Sequence, residues 1–303
     1  ATFGAGGRIA PGWSWSSTSR LGGRVLYATS EEDALIVESR AGVAAATRGA
    51  TFGGLRVSYK DRFERGGFRD YRRINALPYI GLDGYWVRAT VSGGVSQFWF
   101  KPNEDLDWFG PMVSPRIEFF VSDAVTWSVS YTYLRRDVTE AQVVEDGATE
   151  GGFAFGSAAR GRVDRFQSGA TGIEALLGRA LFEAEVAYQS NDSNSFARGY
   201  RRWLVDASIT AIPFGELLVR AATRLQRTSF VDELLIDESF AIDDQNQNSV
   251  SLTLEHPIGA AGWGVETRWS YFDEAFRADA TQRYSRHIAY LGVSWRRSGG
   301  DER

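Results

Sequence analysis

Apolar and polar residues alternate at a period of two in many separate segments of this chain, and this alternation limits the folds open to it. Segment 125–134 reads VTWSVSYTYL, with valine and aromatic residues at one parity and hydroxyl residues at the other. Successive side chains of a strand point to opposite faces, so each such segment has one apolar and one polar face. Two all-β folds have this pattern: a soluble sandwich with a dry core, and a membrane barrel with lipid outside and water inside.

The linkers between the segments separate these two folds, because short and long linkers alternate along the chain. The short linkers lie near 82–84, 122–124, 177–180, 212–215 and 256–261, and the long ones span 64–70, 101–109, 138–161, 190–199, 229–247 and 273–282. Short turns at one end and long loops at the other are typical of outer-membrane barrels. We therefore predict an all-β fold: one antiparallel transmembrane β-barrel of about 14–16 strands, with short periplasmic turns and long extracellular loops, over residues 1–303.

The two ends of the chain fit this pattern less cleanly. Residues 1–50 have room for two to four strands, although Thr29–Asp33 resembles a helix N-cap and the alanines of 34–48 leave a helix as the alternative. We prefer strands because Gly42 and the β-branched residues weaken a helix. Residues 297–303 form a polar tail.

Three places inside the predicted strands interrupt the pattern. Pro78 and Pro115 cannot donate a hydrogen bond to a neighbouring strand, so we expect a bulge or a strand end at each. The apolar parity also slips between Val95 and Phe100, and a bulge is the usual cause of such a slip.

Composition excludes several functions. The chain has no cysteine, and its two histidines, His256 and His287, are too far apart for a local metal motif, so we predict no metal site and no cofactor. We also predict no catalytic residue, because His287 has the outward parity and its expected neighbours on that face supply no serine or carboxylate. We expect His256 to lie in a short turn before Pro257. The acidic stretch 232–244 is denser than usual, but its spacing matches no cation-binding loop. A net charge of −4 gives no support to nucleic-acid binding.

The last two hairpins carry a resemblance to a known class. The segment 249–276, SVSLTLEHPIGAAGWGVETRWSYFDEAF, and the following Tyr284, Arg286, His287 and 290–295 (YLGVSW) resemble the closing strands of Gram-negative outer-membrane barrels. Within that class they look most like the barrel domains of exopolysaccharide exporters and surface-protein translocators. The resemblance implies a location in the bacterial outer membrane. The tail after Trp295 departs from the aromatic ending that such barrels commonly have.

Strand parity predicts which side chains face the lumen and which face lipid. The expected lumen-lining residues are Arg56, Lys60, Arg116, Glu118, Glu183, Glu185, Arg220, Arg224, Glu255, Glu266 and Arg268. The expected membrane-interface aromatics are Trp127, Tyr131, Tyr133, Tyr188, Trp203, Trp263, Trp269, Tyr271 and Trp295. A charged, wet interior would sort solutes by charge, unless the charges pair across the lumen and close it. The loop 138–161 contains several acidic residues. It either folds inward and constricts the lumen or lies on the surface.

These observations predict a channel without enzymatic activity that passes hydrophilic solutes or exports a polysaccharide. The alternative is a protein-translocating or structural barrel in a larger outer-membrane complex. The expected partners are outer-membrane lipid and lipopolysaccharide, together with a periplasmic or helical-repeat partner if the barrel handles a polymer. All basic residues except Lys60 and Lys101 are arginine, which suits phosphate binding but also fits a coding bias.

Overall fold

The computed structural model describes residues 2–24, 34–46, 49–67, 70–146, 152–155, 161–196, 198–231, 248–258, 263–275 and 283–295. In these residues, fifteen strands form one antiparallel sheet in which neighbours follow chain order, and two more form a small hairpin. The strands are β1 (Thr2–Ala10), β2 (Trp13–Arg24), β3 (Ala34–Ala46), β4 (Thr51–Glu64), β5 (Tyr71–Asp83), β6 (Val87–Phe100), β7 (Trp108–Ser122), β8 (Val125–Ala141), β9 (Val143–Asp146), β10 (Gly152–Phe155), β11 (Gly161–Leu177), β12 (Ala180–Ser193), β13 (Tyr200–Ala211), β14 (Leu218–Phe230), β15 (Asn248–Ile258), β16 (Trp263–Ala275) and β17 (Arg283–Trp295). No helix in the described ranges is long and apolar enough to cross a membrane.

This architecture confirms the predicted single antiparallel transmembrane β-barrel with short turns at one end and long loops at the other. The linker between β11 and β12 is only Gly178 and Arg179, whereas β14 and β15 are separated by residues 231–247. Gly178 has a φ of 63°, a conformation that glycine adopts without strain. β3 covers Ala34–Ala46, so this part of the N-terminal region is a strand and not the alternative helix.

The two faces of the sheet differ as the alternation predicts. Large apolar side chains stay exposed on one face, which we call the outer face, including Trp13 (50% exposed), Ile80 (62%) and Trp203 (56%). Soluble monomers rarely expose apolar surface over such an extent. The outer face is therefore the lipid-facing surface of the barrel, and the opposite face is its interior.

The expectation of a bulge between Val95 and Phe100 is wrong. The register of β6 with β5 runs without a shift from Val95, opposite Ala76, to Phe100, opposite Tyr71. Phe98 and Phe100 therefore lie on the interior face, and they break the apolar pattern because they pack there. The pairing of β7 with β8 has gaps at Pro111 and Pro115, which have no N–H to donate.

Two other boundaries differ from the sequence-based expectation. His256 and Pro257 lie within β15, opposite Val265 and Gly264 of β16, and not in a turn. The predicted linker 138–161 is shorter, because β8 continues to Ala141, and it contains the β9–β10 hairpin. The acidic stretch 232–244 and the tail 297–303 lie outside the described residues.

Gly110 in β7 is required by the close approach of β8. A Cβ atom at this position would run into the carbonyl oxygen of Arg135 in the neighbouring strand. We expect Gly110→Ala to lower the free energy of unfolding by about 1–3 kcal/mol, because the added carbon forces the two backbones apart. Denaturant unfolding of the refolded protein in detergent measures the change.

The matched control is Gly169→Ala in β11, where an added Cβ has no atom within 4 Å. Alanine in that strand is expected to be neutral or stabilising by about 0.5–1 kcal/mol. Equal stability losses at both positions would contradict the argument from the β7–β8 approach.

Candidate functional site

The interior of the barrel contains a cavity of about 600 Å³ whose wall is formed by eight strands, β7, β8 and β11 to β16. Its lining is charged and rich in hydroxyl groups. Four arginines and five carboxylates contribute to the wall. The charged residues of each strand share the interior parity, so they lie on the same face of the sheet.

Acidic residues are concentrated on β11 to β13. Glu174 and Glu183 are directly opposite each other in the β11–β12 register, and Glu185 is opposite Asp206 in the β12–β13 register. Like charges directly opposite each other are unfavourable unless another group compensates. Ser208 does this in part, since its hydroxyl donates a hydrogen bond of 2.8 Å to Glu183 Oε2.

Basic residues of β14 lie beside these acidic residues. Arg224 donates two hydrogen bonds to Asp206, from Nε to Oδ1 at 2.6 Å and from a terminal nitrogen to Oδ2 at 3.0 Å. Arg220 lies farther from its neighbour, 3.9 Å from Glu183 Oε2, and its side chain is 54% exposed. The wall thus places acids beside arginines around an open space.

The sequence-predicted lumen residues fall into two groups in the structure. Seven of the eleven line the cavity: Arg116, Glu118, Glu183, Glu185, Arg220, Arg224 and Arg268. The other four do not. Arg56 stacks over Tyr79 at 4.2 Å from the ring centroid, and Lys60 lies 3.6 Å from Glu38. Glu255 and Glu266 are opposite each other in β15 and β16.

Sequence reasoning missed two acidic residues of this wall, Glu174 and Asp206. Both stand at the parity of the polar face, so the alternation alone was enough to find Asp206 beside Val205 and Ala207. The pairing of Asp206 with Arg224 was not available from the sequence, because it depends on the β13–β14 register.

Towards the long-loop end, the interior is filled by an aromatic cluster on β5, β6 and β7. Tyr71, Phe98, Phe100 and Leu106 are at most 7% exposed, and Trp108 packs against them. The ring centroid of Phe98 is 5.4 Å from that of Tyr71 and 5.7 Å from that of Trp108. Leu106 comes from a 3-10 helix in the linker before β7, Glu104–Leu106, so this loop folds inward.

Asp107 ends this inward-folded linker. Its carboxylate accepts a hydrogen bond of 2.6 Å from the backbone N–H of Phe100. Burial raises the pKa of Asp107, and the nearby Glu104 acts in the same direction, while the hydrogen bond from Phe100 opposes them. The hydrogen bond ties the linker to the end of β6 beneath the aromatic cluster.

A buried ionic cluster continues the filled layer on β8, β11 and the linker before β13. Arg162 is 2.8 Å from Glu140 and 2.8 Å from Asp164, and Arg198 is 3.1 Å from Glu140. Arg136 is 3.7 Å from Asp164, whose exposure is only 1%. Glu140, one of the acids expected in a constricting or surface loop, therefore contacts wall arginines from the end of β8.

The predicted interface aromatics have the outward parity of their strands, and some of them lie towards the strand ends. Trp127 and Trp263 are near the short turns and are 44% and 49% exposed, while Tyr188 and Trp203, 41% and 56% exposed, are nearer the long loops. The ring centroids of Tyr188 and Trp203 are 4.9 Å apart. Tyr131, Tyr133, Trp269, Tyr271 and Trp295 lie at the same outward parity of their strands. His287 lies there too, 4.9 Å from the ring of Tyr271.

No protein-family model and no curated protein sequence match the chain. Solved structures match it over nearly its whole length. CdiB from Acinetobacter baumannii has a TM-score of 0.58 and 9% identity over 98% of this chain and 59% of that protein. The Pseudomonas putida toluene transporter TodX has a TM-score of 0.47 and 9% identity, covering 96% and 87% of the two chains. A loop-deletion mutant of OmpT, an outer membrane protein of Vibrio cholerae, has a TM-score of 0.48 and 8% identity over 97% of this chain and 99% of that protein.

The chain thus has the fold of the Gram-negative outer-membrane β-barrels. The sequence identities are too low to carry a substrate or a partner from any of these proteins to this chain. Its function has to be argued from its own interior.

Proposed function

We propose that the protein is an outer-membrane channel that passes hydrophilic solutes through a charged interior, without a chemical reaction and without a cofactor. The observation that supports this proposal is the cavity of about 600 Å³, with Glu183, Asp206, Arg220 and Arg224 on its wall. Charges placed around water inside a barrel bind and repel passing solutes according to their charge and dipole. Such a wall suits a polar solute far better than an apolar one.

The hydroxyl groups of the wall extend the proposal to saccharides, including an exported polysaccharide. Thr126, Ser128, Ser249 and Ser251 line the cavity together with the carboxylates and arginines. Hydroxyl, carboxylate and guanidinium groups together offer both donors and acceptors to a sugar's hydroxyls.

A second candidate is a protein-translocating or structural barrel that belongs to a larger complex. The filled layer at the long-loop end favours it, because the aromatic cluster around Phe98 and the ionic cluster around Asp164 narrow the interior there. A barrel that is closed on its own and opened by a partner would have such a layer.

Single-channel recording of the purified protein in a planar bilayer separates the two candidates. Steady conductance steps in several salts are expected for a channel. A correctly folded but silent protein would favour the partner-opened barrel. Folding is established beforehand from the shift in gel mobility between heated and unheated samples.

The variant Phe98→Ala tests whether the aromatic cluster narrows the path. Removing the ring that stacks between Tyr71 and Trp108 leaves space inside the barrel, so the single-channel conductance is expected to rise. The same change is expected to cost about 3–5 kcal/mol of stability. Phe182→Ala, on the outer face and 37% exposed, is the control that leaves the conductance unchanged. Silence of both the wild type and Phe98→Ala would overturn the channel proposal.

A further inference from the structure

Four arginines lie on the outer face near the long-loop end of the strands: Arg135 in β8, Arg165 in β11, Arg201 in β13 and Arg227 in β14. We call them the outer arginine patch. Only two carboxylates accompany them in the described residues. Asp137 is 2.9 Å from Arg135, and Asp192 is 2.6 Å from Arg201. The patch therefore carries a net positive charge, although the whole chain has a net charge of −4.

The register makes this patch electrostatically unfavourable by itself. Arg165 is directly opposite Arg135 in the β8–β11 pairing, and like charges in such positions repel. Both side chains are exposed. Asp192, on the other side of Arg165, is engaged by Arg201. Within the described ranges, no carboxylate lies at ion-pair distance from Arg165 or from Arg227, whose cross-strand neighbour is Trp203. An anion from outside the chain would relieve this repulsion.

The patch also has a defined height on the barrel. On the outer face of each strand, we compare the arginine with the residue two positions closer to the short turn. That residue is Tyr133 for Arg135, Trp203 for Arg201 and Leu225 for Arg227. Aromatic residues of a barrel mark the boundary between the apolar layer and the head groups. The arginines therefore lie at the level of the head groups, on the side of the long extracellular loops.

The basic groups on the other side of the barrel serve as a contrast. Lys101 and Arg72 also lie near the long loops, but both contact the same carboxylate, Asp61, at 2.7 and 3.0 Å. Asp61 is 1% exposed and is held by Tyr59 as well. Each of those two cations thus has a carboxylate contact within the chain, whereas Arg165 and Arg227 of the patch have none in the described residues.

We propose that the outer arginine patch is a binding site for the phosphate groups of the phosphorylated glycolipid of the outer leaflet, lipopolysaccharide. Guanidinium groups bind phosphate oxygens through paired, charge-assisted hydrogen bonds. Arg165 and Arg227 supply the main contacts, and Arg135 and Arg201 join them while remaining bound to their aspartates. The lipid's acyl chains then lie against the aromatic and apolar side chains directly below.

The test uses the full chain in phosphatidylcholine nanodiscs that contain fluorescent lipid A, either bisphosphorylated or enzymatically dephosphorylated. We expect the wild type to retain the bisphosphorylated form much more strongly. The double variant Arg165→Gln/Arg227→Gln is expected to lose about tenfold or more in affinity, because each lost hydrogen bond involves two charged groups. It is expected to bind dephosphorylated lipid A as the wild type does.

Arg179→Gln is the control for an arginine outside the patch, since it makes the same Arg→Gln replacement, one positive charge, at an exposed side chain in the short turn between β11 and β12. Its affinity for bisphosphorylated lipid A is expected to equal that of the wild type. The proposal is overturned if the double variant retains this lipid as well as the wild type, or if the wild type does not distinguish the two lipids. Channel conductance is measured on the same variants and is expected not to change, so this result stands apart from the proposed transport function.

Discussion

Replacement of both Arg220 and Arg224 by glutamate is expected to make the channel strongly selective for cations. The cavity wall has four basic and five acidic side chains, so the wild type is expected to prefer cations only weakly. The double variant would have two basic and seven acidic side chains on the same wall. Asp206 would also lose the two hydrogen bonds from Arg224 that now neutralise it.

The size of the effect follows from the short distances inside the barrel. A unit charge about 8 Å from a passing ion contributes about 2 kcal/mol at an effective dielectric constant near 20, before screening by salt. We therefore expect the cation-to-anion permeability ratio to rise by at least about tenfold, and to rise most at low salt. Reversal potentials under a salt gradient in a planar bilayer measure this ratio.

The reciprocal variant and the control make the experiment specific. Glu183→Arg/Glu185→Arg, on β12 two strands away in the same wall, is expected to shift the reversal potential in the opposite direction. Arg227→Glu carries the same substitution on β14 but on the outer face, and it is expected to leave the ratio unchanged. If neither double variant moves the reversal potential, these residues do not line the conducting path.

Replacement of Asp164 by alanine is expected to cause the second large effect, a loss of about 3–5 kcal/mol in the free energy of unfolding. Asp164 is buried between Arg162 at 2.8 Å and Arg136 at 3.7 Å. Its removal leaves the guanidinium groups of Arg162 and Arg136, whose side chains are 11% and 21% exposed, with less compensation, and a poorly solvated charge of this kind is costly. Denaturant unfolding of the refolded protein in detergent measures the loss.

Asp137→Ala provides the comparison on β8. Asp137 also contacts an arginine, Arg135 at 2.9 Å, but both side chains are about half exposed. An exposed pair of this kind contributes about 0–1 kcal/mol. Similar losses for the two variants would mean that the cluster around Asp164 is hydrated and does not fill the interior.

The candidate site was only partly predictable from the sequence. Parity was sufficient to separate the interior residues from the outer ones, because it depends only on the strand repeat of two. It did not distinguish Arg224, which contacts Asp206 on the cavity wall, from Arg56, which stacks over Tyr79. That difference depends on which strands are neighbours and in what register, and residues distant in sequence supply the partners.

At Phe98 and Phe100 the local sequence pattern led to a wrong expectation, a bulge. An aromatic at interior parity breaks the alternation, and a bulge is the usual local explanation. In the structure the register is continuous, and the two rings pack against Tyr71 and Leu106 inside the barrel. A local pattern cannot show that an interior side chain has apolar partners from another strand and from an inward-folded loop.

The sequence by itself determined the strand repeat, the alternation of short and long linkers, and hence the barrel, since these depend on side-chain parity and on chain length between strands. Only the tertiary structure decided which interior charges surround open space and which are buried in ion pairs. It also decided that Arg165 and Arg135 meet on the outer face. These outcomes depend on the distances between side chains of different strands, and the register and curvature of the sheet set those distances.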